Sequence, residues 1–265
     1  MKKLTIITGA SSGLGAEFAR QIYAEQTEDG DAKEIWLIAR SKENLETVAK
    51  ELNGKPIAVR TVALDLSGAN GVHELKSLLE AAKNAGDFVI DLLVNNAGFG
   101  TYGPFAETDV DREMQMVDLN CTTLTGVCGI ALPYLKKGSR IINTASLAAF
   151  LPLGNFAVYA ATKAYALSFS VALAAELQDA GIKVCALCPG SVSTNFANVA
   201  SNGKRKEVLH GKDPVKVVRH CLKASRNGKK IALQTINWRF TAFMSRFIGR
   251  YLGARYTFLY AKRPH

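Results

Sequence analysis

Tyr159 and Lys163 stand four positions apart in a Y-x-x-x-K pattern. This spacing places both side chains on one face of a helix. A free tyrosine has a pKa of about 10, which is too high for efficient proton transfer at neutral pH, and a nearby cation lowers it by about 1–3. The pair therefore predicts general acid–base catalysis, although an exposed helical pair without a catalytic role has the same spacing.

Ser146 follows a short apolar run at 140–144 and stands 13 residues before Tyr159. In open α/β sheets, ligands bind beyond the carboxyl ends of the strands. A serine at such a strand end can hydrogen-bond a substrate oxygen and orient it. We therefore expect Ser146 to act together with Tyr159 and Lys163.

A glycine-rich turn at 8–15 reads T-G-A-S-S-G-L-G and separates a first apolar run from a helical segment. Gly9 lets the chain leave the strand sharply, Gly13 removes a Cβ that would block a pyrophosphate, and Gly15 allows close packing of helix and sheet. The free N–H groups at the start of the helix favour an anion. The turn predicts a dinucleotide site, although its G-x-x-x-G-x-G spacing could also belong to an ordinary strand-to-helix turn.

Arg40 follows the second apolar run, and no acidic residue is present at this end of the predicted strand. In dinucleotide-binding folds an acid at this strand end binds the adenosine ribose 2′-hydroxyl, whereas an arginine accommodates a 2′-phosphate. The guanidinium can pair with the phosphate in a fork geometry. Arg40 therefore predicts NADP(H) rather than NAD(H); the alternative is a solvated loop charge.

Short, almost continuously apolar runs alternate with helical patterns along the chain, as in strands covered on both faces of a parallel sheet. The predicted strands are 4–8, 34–39, 57–63, 88–94, 140–144, 183–187 and 229–233. The predicted helices are 13–26, 42–52, 71–85, 109–135, 159–180 and 214–227. This order predicts an α/β fold with a doubly wound, parallel, seven-stranded sheet of the Rossmann type. We expect a single domain over residues 1–265, with a core at 3–235 and a C-terminal extension at 236–265.

Further motifs follow in a fixed order, and with those above they resemble the motif set of the short-chain dehydrogenase/reductase family over residues 3–235. Each motif is weak alone, but the combination is highly specific. The additional motifs are Asn95-Asn96-Ala97-Gly98, Asn120 and Pro189-Gly190.

The resemblance implies four catalytic residues. Tyr159 would be the acid or base at the substrate oxygen, and Lys163 would lower its pKa and bind the nicotinamide ribose. Ser146 would hold the substrate oxygen. Asn120 would support a water that relays protons to Lys163, unless it is a capping or packing residue.

The resemblance also implies a set of residues at the cofactor. Asp65 and Leu66 would contact the adenine, unless Asp65 only caps a turn; 95–98 would stabilise the sheet and line the cofactor channel, and 189–194 would cover the nicotinamide. The full set is Gly9, Ser11, Ser12, Gly13, Leu14, Gly15, Arg40, Asp65, Leu66, Asn95, Ala97, Gly98, Tyr159, Lys163, Pro189, Gly190, Val192 and Thr194.

The ten residues 147–156, between the serine and the tyrosine, are strongly apolar. With Phe99 and Phe196 they predict a hydrophobic ketone or alcohol, lipid-like or steroid-like, as substrate, although these side chains could instead pack the protein. The polar loop at 193–213 predicts a mobile lid over the site.

The net charge of +10 is concentrated at the C-terminal end. No acidic residue follows Asp213, whereas twelve Lys and Arg do; residues 1–213 carry 21 basic and 23 acidic residues. Apolar residues recur at helical spacing and predict a basic amphipathic helix, with Arg239, Arg246 and Arg250 on another face. We expect this helix to dock on the chain's own core or on a partner subunit; peripheral contact with an anionic membrane is the alternative. The apolar positions are Trp238, Phe240, Phe243, Met244, Phe247, Ile248, Tyr251 and Leu252.

Composition excludes several other classes. Five cysteines in a chain of 265 residues suggest no disulfide framework, and Cys185 and Cys188 lack the partners of a zinc site, so we expect buried thiols and no metal. No apolar run approaches the length of a membrane span, and the charge comes without a nucleic-acid-binding motif. We therefore expect a cytoplasmic protein that does not bind nucleic acid.

The leading prediction is an NADP(H)-dependent carbonyl reductase or hydroxy dehydrogenase. Reduction of a 3-oxoacyl thioester is an alternative, because the basic tail could attract an acidic carrier protein. A dinucleotide-sensing protein without activity is a further alternative, which the complete catalytic set disfavours. The family resemblance also implies a homodimer or homotetramer, formed through the helices that carry Asn120 and Tyr159.

Overall fold

The computed structural model describes residues 1–25, 33–205, 208 and 210–262, and within these residues it contains one seven-stranded parallel sheet. The strand order is β3-β2-β1-β4-β5-β6-β7, which confirms the predicted doubly wound α/β fold. The seventh strand is shorter than the predicted 229–233 because only two of its residues pair with β6. The strands are β1 (Lys2–Thr8), β2 (Lys33–Ala39), β3 (Ala58–Ala63), β4 (Phe88–Asn95), β5 (Arg140–Thr144), β6 (Lys183–Leu187) and β7 (Ile231–Ala232).

The predicted lid contains a short helix, Phe196–Ala200, that was not predicted. The helices predicted within the core are present, with ends within four residues of the predicted ones, except in the segment 109–135. There the single predicted helix is divided by a π-helical turn, Asp118–Thr123, and it ends in a 3₁₀ turn. The predicted end of the first helix, at Gln26, lies outside the described residues, as do positions 206, 207 and 209 of the predicted lid. The helices are α1 (Gly13–Glu25), α2 (Lys42–Glu51), α3 (Gly68–Ala85), α4 (Val110–Val117), α5 (Leu124–Ala131), α6 (Ala157–Glu176), α7 (Phe196–Ala200), α8 (Pro214–Arg226), α9 (Ile236–Met244) and α10 (Arg250–Tyr260).

Both faces of the sheet are covered, which explains why its strands are almost continuously apolar. Ile7 and Leu37 belong to the cluster on the face of α1, α2 and α8, where they join the fully buried Phe18. Trp36, one position before Leu37, belongs to the cluster on the opposite face with Leu75 of α3. Alternate residues of each strand therefore enter two separate cores.

The position of the ligand crevice follows from the strand order. β1 pairs with β2 on one side and with β4 on the other, so the connection from β3 to β4 crosses the sheet. Such a reversal opens a crevice at the carboxyl ends of the strands. The glycine-rich turn, Arg40, Asp65, Ser146 and Pro189 each follow one of these strand ends and therefore meet at one edge of the sheet.

The C-terminal extension differs from the predicted single amphipathic helix. It contains two helices, α9 and α10, which are separated near Gly249. Trp238 is buried, but Phe240, Phe247 and Leu252 are 63%, 69% and 69% exposed. The expectation that this apolar face docks on the chain's own core is therefore wrong for most of its side chains, whereas docking on a partner subunit, the other half of the expectation, stays a prediction.

Helix α6 is, among the described residues, the one helix long and apolar enough to cross a bilayer. However, Ala166 and Ser170 on its inner face are completely buried, and the helix contacts β5 and β6. The core helix of a protein built around a sheet meets the same criteria of length and hydropathy. The length and hydropathy of α6 therefore do not identify it as a membrane-spanning helix.

Candidate active site

A cavity of about 960 Å³ lies at the carboxyl edge of the sheet. This volume is at the upper end of the range typical of small-molecule sites. The glycine-rich turn, Arg40, Ser146, Tyr159 and Lys163 all line it. One cavity thus unites the predicted dinucleotide site with the predicted catalytic residues.

The glycine-rich turn needs its glycines for conformation and for space. Gly9 and Gly13 have φ angles of +64° and +54°, in the left-handed region that favours glycine. A Cβ on Gly9 would lie 2.9 Å from the Cα of Ala97, and a Cβ on Gly15 would lie 2.0 Å from the carbonyl oxygen of Gly9. The turn is therefore packed tightly against α1 and the end of β4, and its backbone lines the cavity. The start of α1 there offers N–H groups suited to a pyrophosphate.

Substitution of Gly15 by alanine is expected to lower the affinity for a nicotinamide dinucleotide by at least about tenfold. The new methyl group would collide with the backbone of Gly9, so the turn must move away from the position that binds phosphate. A fluorescence titration with the reduced cofactor measures the effect. Gly129→Ala is a matched control, because a Cβ there has no atom within 4 Å; equal affinity of the two variants would contradict the prediction.

Arg40, Asp65 and Leu66 line the end of the cavity where the adenosine of a dinucleotide is predicted to bind. The Asp65 carboxylate also accepts the backbone N–H of Ser67 at 3.0 Å, so it caps a turn as well as facing the cavity. Burial acts to raise the pKa of Asp65, but the hydrogen bonds from Ser67 and the charge of Arg40 outweigh it and lower this pKa. Arg40 therefore has an ionised carboxylate nearby but still lines the cavity.

Tyr159 and Lys163 lie one turn apart on α6 and face the same cavity. The Lys163 Nζ lies 5.9 Å from the centroid of the Tyr159 ring and donates a hydrogen bond to the carbonyl oxygen of Thr144 at 2.9 Å. The Tyr159 ring lies 5.4 Å from the ring of Phe196 in α7. The phenol thus sits between a cation and an apolar wall.

Lys163 is an unusual lysine because it is only 6% exposed. Burial lowers its pKa to about 8, and this effect exceeds the opposing influence of the nearby Cys121 and Cys188 thiols. A buried ammonium group is stabilised by any anion that forms beside it. The tyrosinate that forms when Tyr159 gives up its proton would be such an anion.

Ser146 lies two residues after the end of β5, is 7% exposed and lines the cavity with Tyr159. Its Oγ accepts the backbone N–H of Ala148 at 3.1 Å and donates to the carbonyl oxygen of Pro189 at 3.4 Å. These bonds hold the hydroxyl at the cavity wall. The second bond is long and can be exchanged for one to a substrate oxygen.

Asn120 lies in the π-helical turn between α4 and α5, and it does not line the cavity. Its Nδ2 donates to the carbonyl oxygen of Phe99 at 2.9 Å and to the Thr162 hydroxyl at 3.0 Å, while its Oδ1 accepts the N–H of Phe99. A Cβ on Gly98 would come within 2.7 Å of Oδ1 and 3.4 Å of the Lys163 Nζ. Asn120 thus ties the strand end after β4 to α6 next to Lys163; its role in a proton relay stays a prediction.

Two predicted cofactor residues, Gly15 and Asn95, also lie behind the cavity wall. Asn95 is buried and donates to the Asn143 Oδ1 at 3.0 Å and to the Cys128 Sγ at 3.2 Å. It therefore stabilises the pairing of β4 with β5 but does not line the channel. All other members of the predicted cofactor set line the cavity.

Cys185 and Cys188 are buried free thiols, as the sequence predicted. Burial raises the pKa of Cys188 to about 12. This thiol therefore stays protonated and is a poor nucleophile.

Several cavity residues were not named from the sequence; they come from the lid, from the C-terminal extension and, for Tyr102, from the segment after β4. Trp238 approaches Gly190 so closely that a Cβ there would lie 2.4 Å from its Nε1. The backbone of Lys212 in the lid pairs with that of Ser191 and Ser193. The loop 193–213 was predicted to lie over the site, but no sequence pattern links the C-terminal extension to it. The unpredicted residues include Tyr102, Arg205, His210, Lys212, Trp238, Thr241, Ser245, Thr257 and Ala261.

Comparisons with known proteins agree with this geometry. A family model described as short chain dehydrogenase matches residues 3–205. An uncharacterised oxidoreductase of Staphylococcus epidermidis is 30% identical over 210 residues, which cover 78% of this chain and 85% of the relative. A short-chain dehydrogenase from Sphingobium yanoikuyae, solved in complex with NADPH, has a TM-score of 0.78 at 25% identity and covers 92% of this chain and 93% of its own. At 21% identity, a short-chain dehydrogenase/reductase from Burkholderia phymatum in complex with NAD shares the fold, with a TM-score of 0.77 over 100% of this chain and 96% of its own.

The parallel sheet, the glycine-rich turn and the cavity with Ser146, Tyr159 and Lys163 define an oxidoreductase of the Rossmann type. The chain belongs to the short-chain dehydrogenase/reductase family. Its solved neighbours include complexes with NADPH and with NAD, so the fold by itself does not select between the two cofactors.

Proposed function

We propose that the protein is an NADP(H)-dependent oxidoreductase that interconverts a ketone and a secondary alcohol on a hydrophobic substrate. The observation that carries the proposal is the meeting of Ser146, Tyr159 and Lys163 in the cavity that the glycine-rich turn also lines. Activity with NADPH and a panel of ketones, and with NADP and the corresponding alcohols, tests the proposal. Consumption of NADPH by apolar ketones is the expected result.

The residues of the chain have separate tasks in this reaction. The bound nicotinamide supplies or accepts the hydride. Ser146 donates a hydrogen bond to the carbonyl oxygen and holds it beside Tyr159, whose phenol gives its proton to that oxygen as negative charge develops there. The Lys163 ammonium group stabilises the resulting phenolate, and Asn120 holds the neighbouring backbone in place. Fixed positions for both reactants remove the entropy cost of a chance encounter.

Arg40 supports the preference for NADP(H), because it lines the end of the cavity proposed for the adenosine. Its guanidinium group can donate two parallel hydrogen bonds to a phosphate. We expect Arg40→Glu to raise the KM for NADPH by about 10–100-fold, since hydrogen bonds to charged groups contribute about 1.5–3 kcal/mol. The KM for NADH should change little. The neighbouring Lys42→Glu is the control, because Lys42 does not line the cavity. A wild-type enzyme that prefers NADH would overturn the assignment.

The substrate end of the cavity supports a hydrophobic substrate, lipid-like or steroid-like. Tyr102, Leu153, Phe156 and Phe196 cluster there with Tyr159 and face the cavity. Burial of apolar substrate surface against such a wall contributes about 25 cal/mol per Å². We therefore expect kcat/KM to rise with the apolar surface of the ketone.

A second candidate activity is reduction of a 3-oxoacyl thioester. Arg205 and Lys212 of the lid line the cavity and could attract an acidic carrier. Inclusion of a 3-oxoacyl thioester in the substrate panel separates the two, because the first proposal requires the plain ketone to be the better substrate. A protein that only senses the dinucleotide would show no turnover with any member.

Assembly and location belong to the same proposal. Met114 and Val117 of α4, and Tyr165 and Val171 of α6, are apolar and 39–61% exposed, which supports a homo-oligomer formed through these helices. Light scattering of the purified protein tests this assembly. We place the enzyme in the cytoplasm, in keeping with its unpaired cysteines.

A further inference from the structure

The outer surface of α9 and α10 is apolar and exposed. Its side chains are between 38% and 80% exposed, and rings contact one another, with centroids 5.3 Å apart for Phe243 and Phe247 and 5.1 Å apart for Tyr256 and Tyr260. Exposed apolar side chains in this number mark a docking site. We call it the C-terminal patch; it consists of Ile236, Phe240, Phe243, Phe247, Ile248, Tyr251, Leu252, Tyr256, Phe258, Leu259 and Tyr260.

Helix α10 turns its small residues to the protein. The inner face carries Gly253, where a Cβ would lie 3.5 Å from the Leu151 side chain, and Thr257, whose hydroxyl accepts the backbone N–H of Gly154 at 2.8 Å. Asn155 donates to the carbonyl oxygens of residues 257 and 258. The face of α10 that carries the small residues therefore packs on the segment before Tyr159. The large apolar side chains of α10 are exposed.

The charges carried by the segment that forms the C-terminal patch have one sign. The cationic side chains of α9, α10 and the residues between and after them are exposed, and no acidic residue follows Asp213 in the sequence. A symmetric contact between two copies of this patch would bring like charges together, and buried cations without partners are costly. The patch therefore fits an anionic partner better than a second copy of itself. Its cations are Arg239, Arg246, Arg250, Arg255 and Lys262.

An anionic lipid bilayer matches both properties of the patch. Its hydrocarbon boundary accepts the aromatic and aliphatic side chains, and its headgroup phosphates attract the arginines. Tyrosines are favoured at the boundary between these two zones. Tyr251, Tyr256 and Tyr260 are 65–77% exposed on α10.

The same two helices form part of the cavity wall. Thr241 and Ser245 of the α9 region and Thr257 and Ala261 of the α10 region line the cavity, within one helical turn of exposed patch residues. A surface that meets the bilayer through this patch would therefore bring the cavity wall close to the lipid.

We propose that the C-terminal patch docks the protein on an anionic bilayer and that the cavity receives its apolar substrate from that bilayer. Docking depends only on the patch. The delivery of substrate rests on the proposed function.

Co-sedimentation of the full chain with vesicles tests docking. We expect the wild type to sediment with vesicles of phosphatidylcholine and phosphatidylglycerol, and to do so less at high salt. Arg246→Glu/Arg250→Glu and Phe247→Ser/Leu252→Ser should each weaken this binding by about tenfold or more. None of these four side chains lines the cavity, so reduction of a small soluble ketone should be unchanged.

Matched controls change exposed residues elsewhere. Lys50→Glu/Lys76→Glu reverses two exposed charges, and Phe105→Ser/Ile231→Ser removes two exposed apolar side chains outside the C-terminal patch, the cavity and the helices of the proposed oligomer contact. Both should sediment like the wild type. Equal sedimentation of patch and control variants, or no sedimentation of the wild type, would overturn the proposal. A wild-type dimer that becomes monomeric only in the patch variants would also overturn it, because a second copy of the chain would then cover the patch.

Reduction of a long-chain ketone dissolved in the vesicles tests delivery. We expect the patch variants to lose about tenfold in rate on this ketone relative to the wild type, while their rate on the soluble ketone is retained. Equal rates on the vesicle-bound ketone would refute delivery. If no variant reduces any ketone but the wild type still sediments, the proposed function fails and docking stands.

Discussion

Tyr159→Phe is expected to lower turnover by about 10²–10⁴-fold, the usual contribution of general acid–base catalysis. The substitution removes the hydroxyl that gives or takes the proton but keeps the ring, which lies 5.4 Å from the Phe196 ring. The cavity wall and the glycine-rich turn are unchanged. The affinity for NADPH should therefore stay close to that of the wild type.

Tyr165→Phe is the matched control for this variant. Tyr165 lies on the same helix and is 41% exposed, and its hydroxyl contacts Thr125 rather than the cavity. Steady-state turnover and a fluorescence titration with NADPH measure the two effects separately. Near-normal turnover of Tyr159→Phe would remove Tyr159 from the chemistry.

Lys163→Met is expected to lower turnover by a similar factor and to make the folded protein more stable at pH 7. Turnover falls because the cation that favours the Tyr159 phenolate is lost. Stability rises because the wild type holds a charged group in a buried position, where its pKa is lowered to about 8. Activity and stability therefore change in opposite directions, as expected of a buried catalytic charge.

The pH dependence gives the sign of the stability effect. In the unfolded chain the pKa of a lysine is about 10.4, and in the folded protein the pKa of Lys163 is about 8. Between these values the unfolded chain binds more protons, so the free energy of unfolding of the wild type rises with pH. The advantage of Lys163→Met is then complete below about pH 8 and shrinks as the pH rises towards 10.4.

Chemical denaturation of the apoprotein at several pH values measures this difference. Lys76→Met is the control, because that side chain is 56% exposed and its removal should change neither turnover nor the pH dependence. A Lys163→Met variant with normal turnover, or one that is less stable than the wild type at pH 7, would contradict the role assigned to the buried charge.

The local patterns of the sequence were sufficient to predict the sheet and the centre of the site. Strands buried on both faces are apolar throughout, and the positions 140–144 and 183–187 agree with β5 and β6 at both ends. Glycines at 9, 13 and 15 are required by backbone angles and close approaches that follow from the turn itself. These features depend on residues that are close together in the chain, so they can be predicted from the sequence.

The division of the predicted helix 109–135 was not visible in the sequence. Hydrophobic periodicity reports which face is buried but does not report a single π-helical turn. Asn120 lies in that turn, and its contacts with Phe99 and Thr162 join residues 21 and 42 positions away. Such contacts depend on how distant elements pack.

The sequence alone determined the class of fold, the glycine-rich turn after β1 and the placement of Tyr159 and Lys163 on one helix, because each depends on residue types at short, regular spacing. Only the tertiary structure decided that Gly15, Asn95 and Asn120 stand behind the cavity wall, and that the C-terminal helices form part of that wall. It also decided which side of α10 faces the protein. An amphipathic pattern predicts that one face is apolar, but in α10 the buried residue is the small Gly253, which faces Leu151. The segment before Tyr159 packs so closely against α10 that a Cβ on Gly154 would lie 2.5 Å from the Cβ of Phe258.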